Sequence, residues 1–118
     1  MAFNFEKLEV WKSSRVLANE IHEISLSFPK VELFSLMVQI KKAADSVNLN
    51  IAEGSTGLSK DEFRRFLTFS SRSSLEVISC LYLALDRKYL DEKQFADLYS
   101  KYETLFRQIN ALRNSLGK

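Results

Sequence analysis

One histidine and one cysteine are the side chains that could supply metal binding or nucleophilic chemistry in this sequence. A di-metal site in a helical bundle needs Glu-x-x-His on two helices and a glutamate on each of two others. His22 is the only histidine, and the residue three positions before it is Asn19. Cys80 has no second cysteine with which to form a Cys-x-x-Cys pair, so we expect it to be a small packing residue. The sequence therefore predicts no metal and no cofactor.

The serines and glycines give no stronger sign of catalysis. Four serines, at positions 70, 71, 73 and 74, fall in the middle of a helical pattern without a histidine nearby in the sequence. Small residues there allow two helices to approach closely, and we favour close packing over nucleophilic chemistry. The run Gly54-Ser-Thr-Gly57 lacks the lysine and the preceding strand of a phosphate-binding loop. We therefore predict no catalytic residue, no enzymatic activity and no small-molecule substrate.

The basic residues are the strongest candidates for binding. They form one pair and one longer group: Lys41 and Lys42, then Lys60, Arg64, Arg65 and Arg72. Arg65 and Arg72 are seven residues apart, so a helix places them on one face with Phe69 between them. A basic stripe that includes an aromatic ring can contact phosphates and a base. The alternative is a solvated face on which basic and acidic side chains are mixed.

Charge, length and hydropathy indicate a single domain that can bind nucleic acid but has no membrane-spanning segment. The 118 residues include 17 basic and 15 acidic ones, for a formal net charge of +2, which permits nucleic-acid binding without requiring it. One domain spanning residues 1–118 is the expectation for this length. The sequence has neither a signal-peptide pattern at its start nor an apolar run of about 18 residues that could cross a bilayer. We therefore expect a cytoplasmic protein with no membrane contact.

Breaks in the helical pattern divide the chain into four segments. The breaks fall at Pro29, between Gly54 and Gly57, and between Arg87 and Asp91. They predict four helices, at about residues 6–27, 32–53, 60–87 and 92–116. Long helices joined by short loops pack as antiparallel neighbours. The predicted fold class is therefore all-α, an up-down-up-down four-helix bundle.

Apolar and small residues spaced three and four positions apart give each segment one face for the core. The four stripes are Val10, Ser14, Leu17, Ile21, Ile24 and Phe28; Leu33, Met37, Ile40, Ala44, Val47 and Ile51; Phe63, Leu67, Ser70, Ser74, Val77, Leu81 and Ala84; and Phe95, Leu98, Tyr102, Leu105, Ile109, Leu112 and Leu116. Ser59 and Glu62 predict a reciprocal capping box at the start of the third helix, and Asp91 with Gln94 predicts a second cap.

The third segment carries more apolar residues than one core face requires. Phe66, Phe69, Cys80 and Leu83 lie outside its stripe. A helix in a four-helix bundle normally keeps one side polar, so this excess predicts a second contact surface. We interpret these four residues as an oligomer interface. The alternative is a wide core stripe with a few scattered exposed apolar side chains.

The end of the second segment combines polar side chains with a helix-ending glycine. Asn50 and Glu53 bracket Ile51 and Ala52, and Gly54 follows. A carboxylate at the C-terminus of a helix is unfavourably placed in the helix macrodipole, so we expect Glu53 to have a partner that fixes the loop. Replacement of a buried, hydrogen-bonded Glu53 by alanine would then cost about 1–3 kcal/mol.

The run from Gln39 to Gly54 resembles the signature of a known family. Its elements are Gln39, Lys41, Lys42, Ala43, Ala44, Ser46, Asn50, Ile51, Ala52, Glu53 and Gly54, and the match extends to Phe5, Leu8, Val10, Trp11, Phe28, Pro29, Phe63, Phe66, Leu67, Glu76, Tyr89 and Leu90. On these residues the chain resembles, over nearly its whole length, the four-helix-bundle proteins named after 23S ribosomal RNA intervening sequences.

The resemblance implies an all-α bacterial bundle, often encoded within an insertion in the ribosomal RNA gene, that assembles into a ring-like homopentamer. A related branch serves as the accessory subunit of diversity-generating retroelements, where a basic pentamer engages a reverse transcriptase and nucleic acid. Five copies of this chain would carry a charge of +10 (5 × 2), less than is typical of those subunits. Two hypotheses follow: an oligomer that associates with RNA or a ribonucleoprotein, and a protein-interaction scaffold or accessory subunit.

Overall fold

Four α-helices make up most of the chain in the computed structural model, which describes residues 2–117. They are α1 (Glu9–Ser25), α2 (Leu36–Gly54), α3 (Lys60–Asp86) and α4 (Glu92–Ser115), with short 3₁₀ turns at Asn4–Lys7 and Lys30–Glu32. Residues 2–117 contain no β-strand. The predicted all-α four-helix bundle is confirmed, and the predicted helix boundaries lie within a few residues of these.

Contacts between consecutive helices have the order expected for antiparallel neighbours. On α1, Trp11 accepts a hydrogen bond from Asn48 through its carbonyl oxygen, while His22 lies 3.0 Å from Asp45. Residue numbers therefore rise along α1 as they fall along α2. The packed helices form a rod of 43 × 22 × 22 Å. No helix within residues 2–117 is long and apolar enough to span a membrane.

The predicted stripes form the core of the bundle. Each helix contributes at least one side chain that is completely shielded from solvent, among them Ile21, Ile40, Leu81 and Ile109. Tyr102 is equally buried, and its hydroxyl has no hydrogen-bond partner within residues 2–117. Burial raises the pKa of Tyr102 well above its ordinary value, so this phenol stays neutral in the core.

Two serines of α3 let that helix pack closely against its neighbours. Ser70 and Ser74 are fully buried. The Ser70 hydroxyl donates a 2.7 Å hydrogen bond to the carbonyl oxygen of Val47 on α2, and the Ser74 hydroxyl bonds the carbonyl oxygen of Ser71 within α3. Because each hydroxyl is satisfied by a backbone carbonyl, these serines fill core positions at the α2–α3 contact as small residues.

Helix α2 begins four residues later than predicted because Glu32 folds back onto its N-terminus. Glu32 ends a 3₁₀ turn, and its Oε1 accepts hydrogen bonds from the Leu36 amide at 3.2 Å and from the Ser35 hydroxyl at 2.5 Å. A carboxylate in this position satisfies a free helix N–H group and complements the helix dipole. Leu33 then lies before α2 and is exposed, so its predicted place in the core is wrong.

The same carboxylate joins two loops that are far apart in sequence. Glu32 Oε2 accepts a 2.7 Å hydrogen bond from the Tyr89 hydroxyl and lies 3.1 Å from Arg87 Nη1. Glu32 is only 8% exposed. The hydrogen bond from Ser35, followed by those from Tyr89 and Leu36 and the charge of Arg87, lowers the pKa of Glu32 to about 2, although burial acts in the opposite direction. We call Glu32, Ser35, Arg87 and Tyr89 the Glu32 cluster.

The end of α2 depends on the missing side chain of Gly54. A Cβ atom built at Gly54 would lie 2.6 Å from Cβ of Phe66 and 3.1 Å from Cδ1 of Phe63. Both phenylalanines belong to the first two turns of α3, so α3 starts in direct contact with the end of α2. Ser55 closes this turn, because its amide bonds the carbonyl of Ile51 and its hydroxyl donates to the carbonyl of Ala52 at 2.8 Å.

Glu53 does not fix this turn, contrary to the expectation from the sequence. Its side chain is exposed, and no hydrogen bond or ion pair joins it to another residue within positions 2–117. The carbonyl groups that end α2 are instead satisfied by Ser55, and Asn4 anchors the turn by donating to the Ser55 carbonyl at 3.3 Å. The helix end therefore needs no help from a carboxylate.

The two predicted helix caps differ in completeness. Asp91 and Gln94 form the full reciprocal box, in which each side chain accepts from the other residue's amide. Ser59 accepts a 3.0 Å hydrogen bond from the Glu62 amide, which confirms half of the first box. The Glu62 carboxylate turns away and lies 3.5 Å from Arg65 one turn later, so the predicted return bond is wrong.

Replacing Gly54 by alanine tests the close contact between α2 and α3. Neither Cβ atom can rotate away, so overpacking outweighs the helix-propensity gain and the free energy of unfolding falls by about 1–2 kcal/mol. Chemical unfolding measures this change. Glu53→Ala is the matched control at the neighbouring exposed position, with an expected change below about 0.5 kcal/mol. A larger loss for Glu53→Ala than for Gly54→Ala would contradict this account of the turn.

The Glu32 cluster predicts a pH-dependent stability. Because the folded pKa lies below the ordinary value of 4.5, the ionised carboxylate stabilises the fold above about pH 4.5 and loses this effect as pH falls towards about 2. Glu32→Gln should therefore lower Tm by several degrees at neutral pH, and the gap to the wild type should shrink on acidification. The exposed Glu53→Gln is the control. A gap that stayed constant down to about pH 3 would exclude this carboxylate as its source.

Candidate nucleic-acid interface

Cys80 and His22, the two side chains with potential for metal binding or nucleophilic chemistry, lie in different surroundings in the fold. Cys80 is 6% exposed and packs in the core, and burial raises the pKa of its thiol. The imidazole of His22 on α1 faces Asp45 on α2, with 3.0 Å between Nε2 and Oδ1. No three His, Cys, Asp or Glu side chains of residues 2–117 lie close enough together to hold a metal ion. Cys80 and His22 therefore do not form a shared site, and the remaining candidates for ligand binding are the basic side chains.

Three arginines line one cleft between the start of α3 and the end of α4. The cleft has a volume of about 670 Å³ and is lined by Asp61, Arg64, Arg65, Thr68, Arg113, Asn114 and Gly117. Arg64 and Arg65 come from the second turn of α3, and Arg113 comes from the last turn of α4. The antiparallel packing of α3 and α4 brings these turns together. We call Arg64, Arg65 and Arg113 the arginine cleft.

Hydrogen bonds orient two of these arginines. Arg64 donates to Asp61 at 2.7 Å and also to the carbonyl oxygen of Gly117. Arg113 donates to the Thr68 hydroxyl at 3.4 Å and forms no ion pair within residues 2–117. A guanidinium group has five N–H donors, so each arginine keeps donors for a further acceptor. Positively charged, partly oriented guanidinium groups on both sides of a cleft suit a phosphate-bearing ligand.

The third arginine rests on aromatic rings. The Arg65 guanidinium carbon lies 5.5 Å from the ring centre of Phe66 and 5.6 Å from that of Phe69. Arg65 also lies 3.5 Å from Glu62, beyond ordinary hydrogen-bond distance, and its side chain is 62% exposed. The side of the guanidinium group turned away from the rings is therefore open to solvent.

The six basic residues predicted from the sequence do not form one patch. Arg64 and Arg65 line the cleft, Lys60 begins α3, and Arg72 is exposed about two turns beyond Arg65 on the same face. Lys41 and Lys42 lie on α2 and are not among the residues that line the cleft. The structure thus brings together two of the six and adds Arg113, which sequence reasoning missed. The antiparallel pairing of the third and fourth helices was the signal that could have identified it.

Polar residues of the run from Gln39 to Gly54 form hydrogen bonds where α2 packs against α3. The Asn50 side-chain amide donates to the carbonyl and the hydroxyl oxygen of Ser46, both at 2.9 Å, and the Ser46 hydroxyl lies 2.9 Å from that of Ser73 on α3. Ile51 is fully buried, Ala52 partly buried, and Gln39 exposed. Asn50 therefore supports the contact between α2 and α3.

The predicted oligomer interface needs one correction. Cys80 belongs to the core and presents almost no surface to a second copy. Phe66 is partly buried against Gly54, whereas Phe69 and Leu83 are 37% and 41% exposed. They lie fourteen residues apart on one face of α3.

Two apolar residues of α2 extend this exposed surface. Val38 and Leu49 are exposed and lie eleven residues apart, which places them on one face of α2. Leu49 and Phe69 flank the Ser46–Ser73 contact, one turn from it on their own helices. We call Val38, Leu49, Phe69 and Leu83 the outer face.

A second cleft, of about 600 Å³, runs between α1 and α4. It contains both Lys101 and Glu20, whose charged groups are 2.9 Å apart, and Lys101 is also 3.1 Å from Asp97. These contacts, first of all the hydrogen bond that Lys101 donates to Glu20, raise the pKa of Lys101. Because this lysine is already paired with two carboxylates, the second cleft is a weaker anion site than the arginine cleft.

Comparison with known families identifies the class of protein to which this bundle is similar. A family model described as 23S rRNA-intervening sequence protein matches residues 6–111. A comparison with curated proteins finds no match to the chain. The family match covers all four helices up to the last turn of α4, in agreement with the resemblance carried by the run from Gln39 to Gly54. The chain belongs to the family of 23S rRNA-intervening sequence proteins.

Proposed function

We propose that this protein is a non-enzymatic RNA- or ribonucleoprotein-associated protein that contacts phosphates through the arginine cleft. The observation that carries the proposal is the convergence of Arg64, Arg65 and Arg113 on one cleft. The family description, which names an RNA, supports the same class of ligand. The cytoplasm, where cellular RNA lies, is the compartment in which such a function would operate.

The distribution of charge supports this site despite the small net charge. Several basic groups elsewhere are paired with carboxylates, such as Lys12 with Glu9 and Arg107 with Glu103. In the cleft, Arg64 and Arg65 lie 2.7 and 3.5 Å from the carboxylates of Asp61 and Glu62, whereas Arg113 forms no ion pair within residues 2–117. Unpaired guanidinium groups gain most from a phosphate, because no existing carboxylate contact has to be given up. Arg113 and the solvent-exposed side of Arg65 therefore provide the positive charge that the cleft can offer to a phosphate.

Charge reversal in the cleft tests the proposal. The variant carries Arg65→Glu and Arg113→Glu, and binding of a labelled ribosomal RNA fragment is followed by fluorescence anisotropy from about 50 mM to about 200 mM salt. We expect at least a tenfold loss of affinity, on the order of 1.4 kcal/mol. Removal of two phosphate contacts should also lower the slope of log affinity against log salt by about 1.5.

The matched control carries Arg15→Glu and Arg107→Glu, which change the net charge by the same amount at exposed positions on α1 and α4. We expect it to bind RNA within about threefold of wild type, since its sites lie outside the cleft. Equal losses in the two variants would mean that overall charge, and not the cleft, governs binding. Circular dichroism checks that both variants remain helical.

We also propose that the protein is a homo-oligomer that assembles through the outer face, with the pentamer of the resemblance as the expected state. Four exposed apolar side chains on neighbouring helices support this proposal. Several apolar side chains exposed on neighbouring helices often mark a protein contact. The polar link between Ser46 and Ser73 holds α2 and α3 together beneath it.

Light scattering coupled to size exclusion tests the assembly. The wild type should elute with the mass of a multimer, and Leu49→Glu with Leu83→Glu should reduce it to the mass of one chain, because two charges would be buried without partners. Leu26→Glu with Leu58→Glu, at exposed positions in the loops, is the control and should keep the multimer. A wild-type protein with the mass of one chain would refute the proposed assembly.

A protein-interaction scaffold is the second candidate function. The outer face could contact another protein, for example as an accessory subunit in a reverse transcriptase complex. The specific observation in its favour is the exposure of the apolar side chains of Phe69 and Leu83 on one face of α3. A partner recovered with wild-type protein and lost with Leu49→Glu and Leu83→Glu, together with absent RNA binding, would favour this function over the first.

A further inference from the structure

We propose that the arginine cleft prefers single-stranded RNA to duplex RNA, because Arg65 offers the open side of its guanidinium group as a stacking surface for an unpaired base. This inference rests on the proposed RNA association and adds the strandedness of the ligand. A phosphate-binding cleft alone would not favour the single strand, because a duplex carries two backbones and has the higher density of negative charge. The distinction comes from the aromatic support beneath Arg65.

Phe66 and Phe69 lie against the Arg65 guanidinium group. Their ring centres are 5.7 Å apart and their planes meet at 84°, so the rings form a corner. The Arg65 guanidinium carbon lies at nearly equal distances from both, 5.5 and 5.6 Å. Phe66 is itself held against Gly54, where the space for a Cβ atom is missing. A planar cation resting on such a support can accept a second flat group on its free side.

The other cleft arginines complete a nucleotide-sized site. Arg64 and Arg113 line the same cleft as Arg65, so phosphates on either side of a base stacked on Arg65 can meet a guanidinium group. Bases in single strands can splay out and stack on arginine or aromatic side chains, whereas bases in an RNA helix are paired and stacked on one another. A duplex could therefore use the phosphate contacts and would forgo the stacking contact.

Arg72 provides an internal comparison. It lies on α3 near Arg65 and is exposed, and no aromatic ring within residues 2–117 lies beneath its guanidinium group. Arg72 can contact a phosphate as a charge but lacks the support that orients Arg65. Replacing either residue by lysine keeps the charge and removes the planar group. The two substitutions therefore separate stacking from charge.

Fluorescence anisotropy with the full chain tests the inference on three labelled probes of equal length: an unstructured single-stranded RNA, the same strand annealed to its complement, and an abasic strand. We expect wild type to bind the single strand about tenfold more tightly than the duplex. Arg65→Lys should lose most of this preference and bind the abasic strand as wild type does. Arg72→Lys should keep the preference. Circular dichroism confirms that both variants fold.

Two results would overturn the inference. Equal wild-type affinity for single strand and duplex would show that no base stacks in the cleft, while leaving RNA association intact. Equal losses by Arg65→Lys on the base-bearing and abasic strands would show that Arg65 acts only on phosphates. Absence of binding to all three probes is a different outcome, since it would remove the proposed RNA association itself.

Discussion

The contact between Gly54 and Phe66 is the constraint on which the position of the candidate site depends. Because Gly54 has no side chain, α3 can start directly against the end of α2. That contact seats Phe66, and Phe66 with Phe69 supports Arg65. The same start of α3 then lies beside the last turn of α4, which brings Arg113 to the cleft. A steric requirement of one backbone position thus determines where the basic groups meet.

The two ends of the rod have different roles. At one end, the Glu32 cluster ties the α1–α2 connection to the α3–α4 connection through a buried carboxylate. At the other end, the arginine cleft leaves its charged groups facing solvent. Buried carboxylates are tolerated only when several donors satisfy them, whereas a binding site must keep donors free. Separating the two along a rod 43 Å long allows stability and binding to be changed independently.

Periodicity predicted the helices and most core positions, because a helix buries one stripe of residues and this stripe can be read from spacing. The sites were harder to predict, since they depend on contacts between segments. Arg113 reaches the cleft only through the pairing of α3 with α4, and Cys80 is buried because α3 has a wide core face. Glu53 needed no partner because Ser55 satisfies the helix end. The contacts of Arg113 and Cys80 join distant segments and are not encoded in local spacing, whereas the Ser55 bond to Ala52 is local.

Most contacts of a helical bundle are local in sequence or join neighbouring helices, which favours fast folding. The bonds of Glu32 are different, since they span 55 residues to Arg87 and 57 residues to Tyr89. They can form only after α2 and α3 have docked and the chain has turned towards α4. Interactions that form late act mainly on the unfolding rate. We therefore expect the Glu32 cluster to lengthen the lifetime of the folded chain more than it speeds folding.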